Sequence, residues 1–118
     1  MSRPLRVLLV DDHDHVRRGL RLALEENGHT VAEAEDGSEG LRVARLWNPD
    51  VAVVEVDLLI VSGYELAWHV RRELGPGVRL VALTGHRQRE RALAAGFDFF
   101  LLKPADHEEV RRVVQGAA

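Results

Sequence analysis

A run of apolar residues that ends in two carboxylates, Val51 to Asp57, constrains the fold of this chain more than any other feature. The run is rich in valine and follows Pro49 and Asp50, a pattern typical of a strand buried on both faces of a parallel sheet. Glu55 and Asp57 lie where such a strand leaves the sheet, at the edge where open parallel sheets bind their ligands. The sequence therefore predicts a central strand with a functional site at its end.

Apolar runs alternate with amphipathic segments along the rest of the chain. The predicted strands cover residues 5–10, 29–34, 51–55, 78–83 and 99–102. Each is followed by a segment whose apolar residues recur three or four positions apart, as in a helix with one buried face. Five strands alternating with five helices predict an α/β fold with a doubly wound, five-stranded parallel sheet and helices on both faces. The flavodoxin-like strand order 2-1-3-4-5 is expected.

Start signals precede the predicted helices. Asp14 is expected to cap the first helix, with Val16 and Leu20 on its apolar face. Capping boxes are expected at Asp36 with Glu39, Ser62 with Glu65, and Asp106 with Glu109.

Composition excludes several classes of protein. The 118 residues predict one domain, residues 1–118, with a single core. A net charge of -3 gives no reason to expect direct contact with nucleic acid. The chain has no cysteine and therefore no disulfide or thiolate metal site. No apolar stretch reaches the roughly 18 residues of a membrane span, and the start lacks a signal-peptide pattern. We therefore expect a cytoplasmic location without membrane contact.

Polar groups follow four of the five predicted strands. They are Asp11 and Asp12, Glu55 and Asp57, Thr84, and Lys103. Parallel strands bring these ends to one edge of the sheet. Carboxylates there suit a hard divalent cation such as Mg²⁺, and a lysine and a hydroxyl can balance the charge of a phosphoryl group.

The motifs at these positions resemble the receiver domain of bacterial two-component response regulators, the CheY-like family, over essentially the whole chain. The matching segments are Val10-Asp11-Asp12, Asp36-Gly37, Pro49-Asp50, Ser62-Gly63-Tyr64-Glu65, Ala82-Leu83-Thr84-Gly85, Ala95-Gly96-Phe97-Asp98 and Leu102-Lys103-Pro104. Each segment alone is weak evidence. Their order and spacing together are specific.

The resemblance implies roles for individual residues. It implies a Mg²⁺ site formed by Asp11, Asp12, the backbone carbonyl of Asp57 and the side chain at the phosphoacceptor position, which is Glu55 here. It also implies Thr84 and Lys103 as phosphoryl contacts and Phe100 as an aromatic that changes rotamer with the hydroxyl. A Lys103-Pro104 bond in the cis form is common in this family.

The same resemblance implies partners. A histidine kinase or phosphotransfer protein would supply the phosphoryl group. An effector domain or output protein would contact the fourth helix, the fifth strand and the last helix. A homodimer is a further partner that the sequence leaves open. The basic residues of the fourth helix, Arg87, Arg89 and Arg91, are interpreted as a solvated face that could take part in such contacts.

Glu55 departs from the family pattern, which has Asp at the phosphoacceptor position. A Glu carboxylate reaches about 1.5 Å farther from the same backbone, and an error near 1 Å in positioning can cost about 100-fold in rate. We expect that Glu55 prevents normal phosphorylation and weakens Mg²⁺ binding, as in a pseudo-receiver or a phosphomimetic-like variant. The alternatives are continued phosphorylation at Glu55 and a purely structural ion pair with Lys103.

Other residues have two interpretations. Leu58-Leu59-Ile60-Val61, where the family usually has a proline, either packs under its loop or forms an exposed patch for a partner, and packing is favoured. His13 and His15 are interpreted as solvated residues rather than metal ligands, and His86 as a residue at the edge of the site. Trp47 and Trp68 are interpreted as packing residues.

Two other functions are considered. The acids of Glu55-Val56-Asp57 distantly resemble those of haloacid-dehalogenase-like phosphatases, which would make the chain a small Mg²⁺-dependent enzyme. Those enzymes use an Asp nucleophile on an early strand together with a cap, so we expect no enzyme here. A flavin or nucleotide binder is remote because the loops lack a glycine-rich phosphate cradle.

Overall fold

The structure, a computed structural model, describes residues 3–116, in which strands and α-helices alternate along the chain. The strands are β1 (Arg6–Val10), β2 (Thr30–Ala34), β3 (Val51–Glu55), β4 (Arg79–Thr84) and β5 (Phe99–Leu102). The helices are α1 (Asp14–Glu26), α2 (Gly37–Trp47), α3 (Gly63–Leu74), α4 (Arg89–Ala95) and α5 (His107–Val114). A short 3-10 turn, Gly75–Gly77, separates α3 from β4. None of the helices within residues 3–116 is both long and apolar enough to cross a membrane.

The five strands form one parallel sheet in the order β2-β1-β3-β4-β5, which confirms the predicted fold class. β3 is central: Val53 lies opposite Leu9 of β1 and Val81 of β4. All five residues of β3 are buried. This explains why its sequence is continuously apolar rather than alternating, since both faces of the strand are covered.

Two hydrophobic layers cover the sheet, because successive side chains of a strand point to opposite faces. Val7 and Leu9 of β1 pack with α1 and α5 on one face. Leu8 and Val10 pack with α2, α3 and α4 on the other face. With both faces filled, the carboxyl edge of the sheet is where polar side chains can gather.

The start of α1 differs from the prediction. The N-cap is His13, without a side-chain cap, and Asp14 is the first helical residue. The buried face comprises Arg17, Leu20, Ala23 and Leu24, whereas Val16 is 43% exposed. The buried stripe therefore differs from the expected one only at its first position, where Arg17 rather than Val16 is buried.

Capping is confirmed for α2 and α3. Asp36 accepts a hydrogen bond from the Glu39 backbone, and Ser62 forms the complete reciprocal capping box with Glu65. The last helix is capped differently from expectation. Asp106 accepts from the backbone N–H of Glu108 rather than that of Glu109.

Gly63 allows α3 to begin directly against the end of β3. Its backbone N–H donates to the Val56 carbonyl at 3.0 Å. A Cβ at this position would lie 2.5 Å from the carbonyl oxygen of Glu55 and 2.5 Å from the Cα of Val56, both backbone atoms. A side chain at position 63 would therefore push α3 away from the residue that ends the central strand.

Gly63→Ala is expected to lower the free energy of unfolding by about 1–3 kcal/mol, because the added methyl group overpacks against backbone that cannot rotate away. Urea unfolding followed by far-UV circular dichroism measures this change. Gly77→Ala is the matched control, since nothing lies within 4 Å of a Cβ built there. Equal stabilities of the two variants would contradict the close approach.

Candidate functional site

Two buried carboxylates share one ammonium group at the carboxyl edge of the sheet. The Nζ of Lys103, just past β5, lies 2.8 Å from Oδ2 of Asp11 and 2.7 Å from Oε1 of Glu55. Asp11 directly follows β1, and Glu55 ends β3. Asp11 and Glu55 are only 2% and 4% exposed. Residues distant in sequence thus form one charged cluster that is largely withdrawn from water.

The remaining oxygens of these carboxylates also have hydrogen-bond donors. Oδ1 of Asp11 accepts from the backbone N–H of His13 at 2.9 Å and lies 2.9 Å from that residue's Nδ1. Oε2 of Glu55 accepts from the backbone N–H of Asp57 at 3.1 Å. Buried carboxylates are tolerated when paired and hydrogen-bonded. Each of the four oxygens therefore has a partner supplied by the protein itself.

The same contacts keep Lys103 charged. Burial, the largest single influence, would lower its pKa, but hydrogen bonds and electrostatic attraction to Asp11 and Glu55 together raise the pKa above its ordinary value. The ammonium is thus held as a cation between two anions. Lys103 is followed by a cis peptide bond to Pro104, as the resemblance implies.

Thr84 and Phe100 lie on the same face of the sheet, and Thr84 contacts the backbone of Lys103. Thr84 pairs with Leu102 and Ala82 pairs with Phe100, so Thr84 and Phe100 face the same side. Thr84 is fully buried. Its hydroxyl accepts from the backbone N–H of His86 at 3.1 Å, and its carbonyl accepts from the backbone N–H of Lys103 at 2.7 Å. Phe100 is partly buried against the layer formed with α2, α3 and α4. Their predicted roles as phosphoryl contact and switch stay predictions.

The other two acids of the predicted site point outward. The Asp12 side chain is 45% exposed, with Oδ1 3.1 Å from Nδ1 of His13. The Asp57 side chain is 49% exposed, and its Oδ2 lies 3.8 Å from Nε2 of His86. His86 is therefore at the edge of the site, as expected. The metal roles of Asp12 and of the Asp57 carbonyl stay predictions.

The chemistry of the cluster suits a hard cation. Ligand atoms of Asp11, His13 and Glu55 lie within 4.8 Å of one another, and carboxylate oxygens are the ligands that Mg²⁺ prefers. The two buried carboxylates could hold such an ion, but Lys103 already contacts both of them. A bound cation would therefore compete with the ammonium for the same oxygens.

His13 belongs to this cluster, although the sequence predicted only a solvated residue. Its side chain is 62% exposed, as expected, yet its Nδ1 lies 3.4 Å from Nζ of Lys103. The sequence offered a signal, since His13 directly follows the acid pair.

The sequence did not predict a role for Arg17, whose side chain supports the site by binding the backbone of Asp11. Its guanidinium donates to the Asp11 carbonyl at 2.6 Å, to Glu33 at 2.7 Å and to Asp14 at 2.9 Å. Burial would raise the pKa of Glu33, but hydrogen bonds from Arg21 and Arg17 outweigh it and lower that pKa. Arg17 precedes Leu20 and Leu24 by three and seven positions, and this spacing could have identified it as inward-facing.

In the apolar loop after β3, two of the four residues are packed and the other two are exposed. Leu58 is 6% exposed, and Val61 packs against the layer that includes α3. Leu59 and Ile60 are 79% and 97% exposed. Ile60 also has a φ of 67°, a left-handed conformation that is unfavourable for a β-branched residue. The loop therefore packs at its ends and exposes its tip.

The two tryptophans differ from each other. Trp47 packs against the core as predicted, with the Arg6 guanidinium 5.7 Å from its ring centroid. The packing prediction for Trp68 is wrong, since this residue is 51% exposed. The guanidinium carbon of Arg72 lies 5.0 Å from the centroid of the Trp68 indole ring. Position 68 precedes the core position Val70 by two, so it lies off the buried face of α3.

Comparisons with known proteins agree with this geometry. A family described as "Response regulator receiver domain" matches residues 7–115. The "Nitrate/nitrite response regulator protein homolog" of Haemophilus influenzae is 33% identical over an alignment of 125 residues. The alignment covers 98% of this chain and 60% of that protein. The chain thus spans under two thirds of that relative's length.

Solved structures give the same result. The signal receiver domain of the putative response regulator NarL from Mycobacterium tuberculosis superposes with a TM-score of 0.85 at 30% identity, covering 95% of this chain and 94% of that one. The chemotaxis protein CheY4 of Vibrio cholerae gives a TM-score of 0.90 at 26% identity, covering 98% and 100%.

Lys103→Met is expected to reduce the loss of stability that alkaline pH causes. Because folding raises the pKa of Lys103 above 10.5, its stabilising contribution is present below about pH 10.5 and is lost as pH rises through the folded-state pKa. Urea unfolding of both proteins between about pH 9 and about pH 12 measures the difference. Lys103 is the only lysine of the chain, and Tyr64 the only tyrosine.

Tyr64→Phe is the control for this titration. Burial is the main reason that the pKa of Tyr64 is raised, so the tyrosine also contributes to alkaline destabilisation. Removing it is expected to leave the effect of Lys103 intact. Identical alkaline slopes for the parent chain and Lys103→Met would contradict the shared-ammonium geometry.

Proposed function

Since the chain belongs to the response regulator receiver domain family, we propose that it is a receiver in which Glu55 occupies the phosphoacceptor position and prevents normal phosphorylation. The chain is a receiver domain of a two-component response regulator, a signalling module of a family that does not normally act as an enzyme. Glu55 is the residue that would set this receiver apart from one that is switched by phosphorylation.

The observation that supports the proposal is the 2.7 Å contact between Oε1 of Glu55 and Nζ of Lys103. In the family the corresponding lysine contacts the phosphoryl group. Here the carboxylate of Glu55 is itself the anion that Lys103 contacts. A negative charge beside Lys103 is thus present without any phosphoryl transfer.

The length of Glu55 is the physical reason for the block. Its carboxylate reaches about 1.5 Å farther than an aspartate would, and both of its oxygens are engaged, by Lys103 and by the Asp57 backbone. In-line transfer requires the attacking oxygen to be placed to within about 1 Å. An oxygen that is displaced by this distance, and held there by Lys103 or by the Asp57 backbone, does not meet this condition.

The metal is part of the same proposal. Asp11 and Glu55 would hold Mg²⁺, with Asp12 and the Asp57 carbonyl as further oxygen ligands. The ion would supply positive charge to balance a phosphoryl group. Because Lys103 holds both buried carboxylates, we expect Mg²⁺ to bind more weakly than it does after Glu55→Asp.

Signalling would pass through protein contacts. We propose that α4, β5 and α5 form the output surface, and that an effector domain or separate output protein contacts it. A histidine kinase or phosphotransfer protein would be the upstream partner. Arg91 on α4 lies 4.1 Å above the Tyr64 ring, which extends this surface toward α3. The cytoplasmic location, the lack of nucleic-acid contact and homodimerisation stay predictions.

Incubation with acetyl phosphate and Mg²⁺, read by intact mass, tests the proposal on three proteins. The parent chain and Glu55→Gln are expected to gain no phosphoryl mass. Glu55→Asp is expected to gain it, because the shorter side chain restores the acceptor geometry. Glu55→Gln is the matched control, since it keeps the length of Glu55 and removes its charge.

Other outcomes would change the interpretation. Phosphoryl mass on the parent chain that disappears in Glu55→Gln would mean that Glu55 itself is the acceptor. No mass on any protein would mean that the pocket differs from a working receiver in more than Glu55. Steady Mg²⁺-dependent hydrolysis of a small phosphate ester would favour the enzyme alternative.

A further inference from the structure

A groove of about 510 Å³ opens between α1 and the segment that joins β5 to α5. Its apolar walls include Val16 and Leu20 of α1, Leu83 of β4 and Ala105. Gly19 also lines it, and a Cβ built there would lie 3.6 Å from the His107 ring. Small-molecule sites typically have volumes of roughly 300–1,000 Å³ and mostly apolar walls. The groove therefore has the size and character of a small-molecule site.

The polar side chains that line the groove are all nitrogen bases that can donate hydrogen bonds. They are His13, His15, His107 and Lys103. Imidazole and ammonium groups donate hydrogen bonds to anions, and both can carry positive charge. No acidic side chain lines the groove among residues 3–116. The lining thus pairs apolar walls with donors that are complementary to an anion.

Two of these histidines are available to a ligand. His15 and His107 are exposed, and within the described part of the chain neither has a hydrogen-bond or ion-pair partner. Asp11 and Glu55, which could repel an anion, do not line the groove, and their oxygens already accept from Lys103 and from backbone N–H groups. The His15 and His107 rings are therefore free to donate to a ligand, whereas Lys103 and His13 also contact acids of the charged cluster.

We propose that this groove binds a small organic anion, with its apolar body between α1 and the β5–α5 segment and its charged group at the histidines and Lys103. The occupant is a compound with a ring or short chain ending in a carboxylate, sulfonate or phosphate, rather than a peptide. Lys103 contacts Asp11 and Glu55 as well, so the ligand would adjoin the charged cluster. Binding in the groove does not require that Glu55 be phosphorylated or blocked.

Fluorescence titration with anilinonaphthalene sulfonate tests the proposal on the intact folded chain. This probe is an aromatic anion, and phenylnaphthylamine has the same rings without the charge. We expect saturable binding of the anion with a Kd below about 1 mM, and binding of the uncharged compound on the order of tenfold weaker. Amide NMR spectra are expected to shift first at Gly19, Leu20 and Ala105.

Gly19→Leu and Gly19→Ala test the location. The leucine side chain would fill the groove and is expected to weaken anion binding by about tenfold or more. The single methyl group of Gly19→Ala is expected to change it by less than about threefold. Because position 19 is inside a helix, both substitutions also favour helix formation over glycine, so circular dichroism is expected to show folded proteins.

Val16→Lys and Val16→Glu test the charge requirement without filling the groove. Val16 is 43% exposed, so either side chain can extend into solvent. We expect Val16→Lys to bind the anion more tightly than Val16→Glu by about threefold to tenfold, and both to bind the uncharged compound equally.

Four results would overturn the proposal. Equal affinity for the two compounds would mean that the groove binds any apolar group, for example an apolar side chain of a partner protein. Unchanged binding in Gly19→Leu, or NMR shifts centred outside the groove, would place the probe elsewhere. Failure of the anion to bind at all would exclude this ligand class.

Discussion

The ammonium of Lys103, shared by two buried carboxylates, is the interaction on which the functional edge of this protein depends. β4 lies between β3 and β5, so the lysine side chain crosses the end of one strand to reach Glu55, and then reaches Asp11 beyond it. Removing one partner of a buried ion pair leaves a charge that the protein cannot solvate, which is strongly unfavourable. The positions of three strand ends are therefore coupled through one cation.

The surrounding structure holds this cluster in place through backbone contacts. Arg17 binds the carbonyl of Asp11 from beneath β1, and the N–H of Asp57 binds Glu55. Gly63 lets α3 begin against the last residues of the central strand. Such supports restrict where the carboxylates can move. The proposed effect of the extra methylene of Glu55 depends on this restriction, since only a rigid pocket would be sensitive to a displaced oxygen.

Lys103 also connects the cluster to its surroundings. It pairs with Asp11 and Glu55 on one side and lines the groove beside α1 on the other. With a carboxylate already present, the lysine is held charged without modification. A second anion approaching through the groove would therefore enter an electrostatic environment that Glu55 has already set.

The sequence by itself determined the strands and helices, because periodicity of two or of three to four reports which faces are buried. Their alternation predicted the strand order, and the acids, hydroxyl and lysine could be read directly after the strands. The sequence also predicted Glu55 at the phosphoacceptor position, and that assignment stays a prediction. Only the tertiary structure decided which groups meet. Lys103 and Asp11 are separated by 92 residues, and no local pattern encodes that contact. The same limit explains the misassigned Val16 and Trp68, the overlooked Arg17 and His13, and the divided loop from Leu58 to Val61. Each depends on which neighbour a side chain faces, and packing across elements rather than local periodicity decides that.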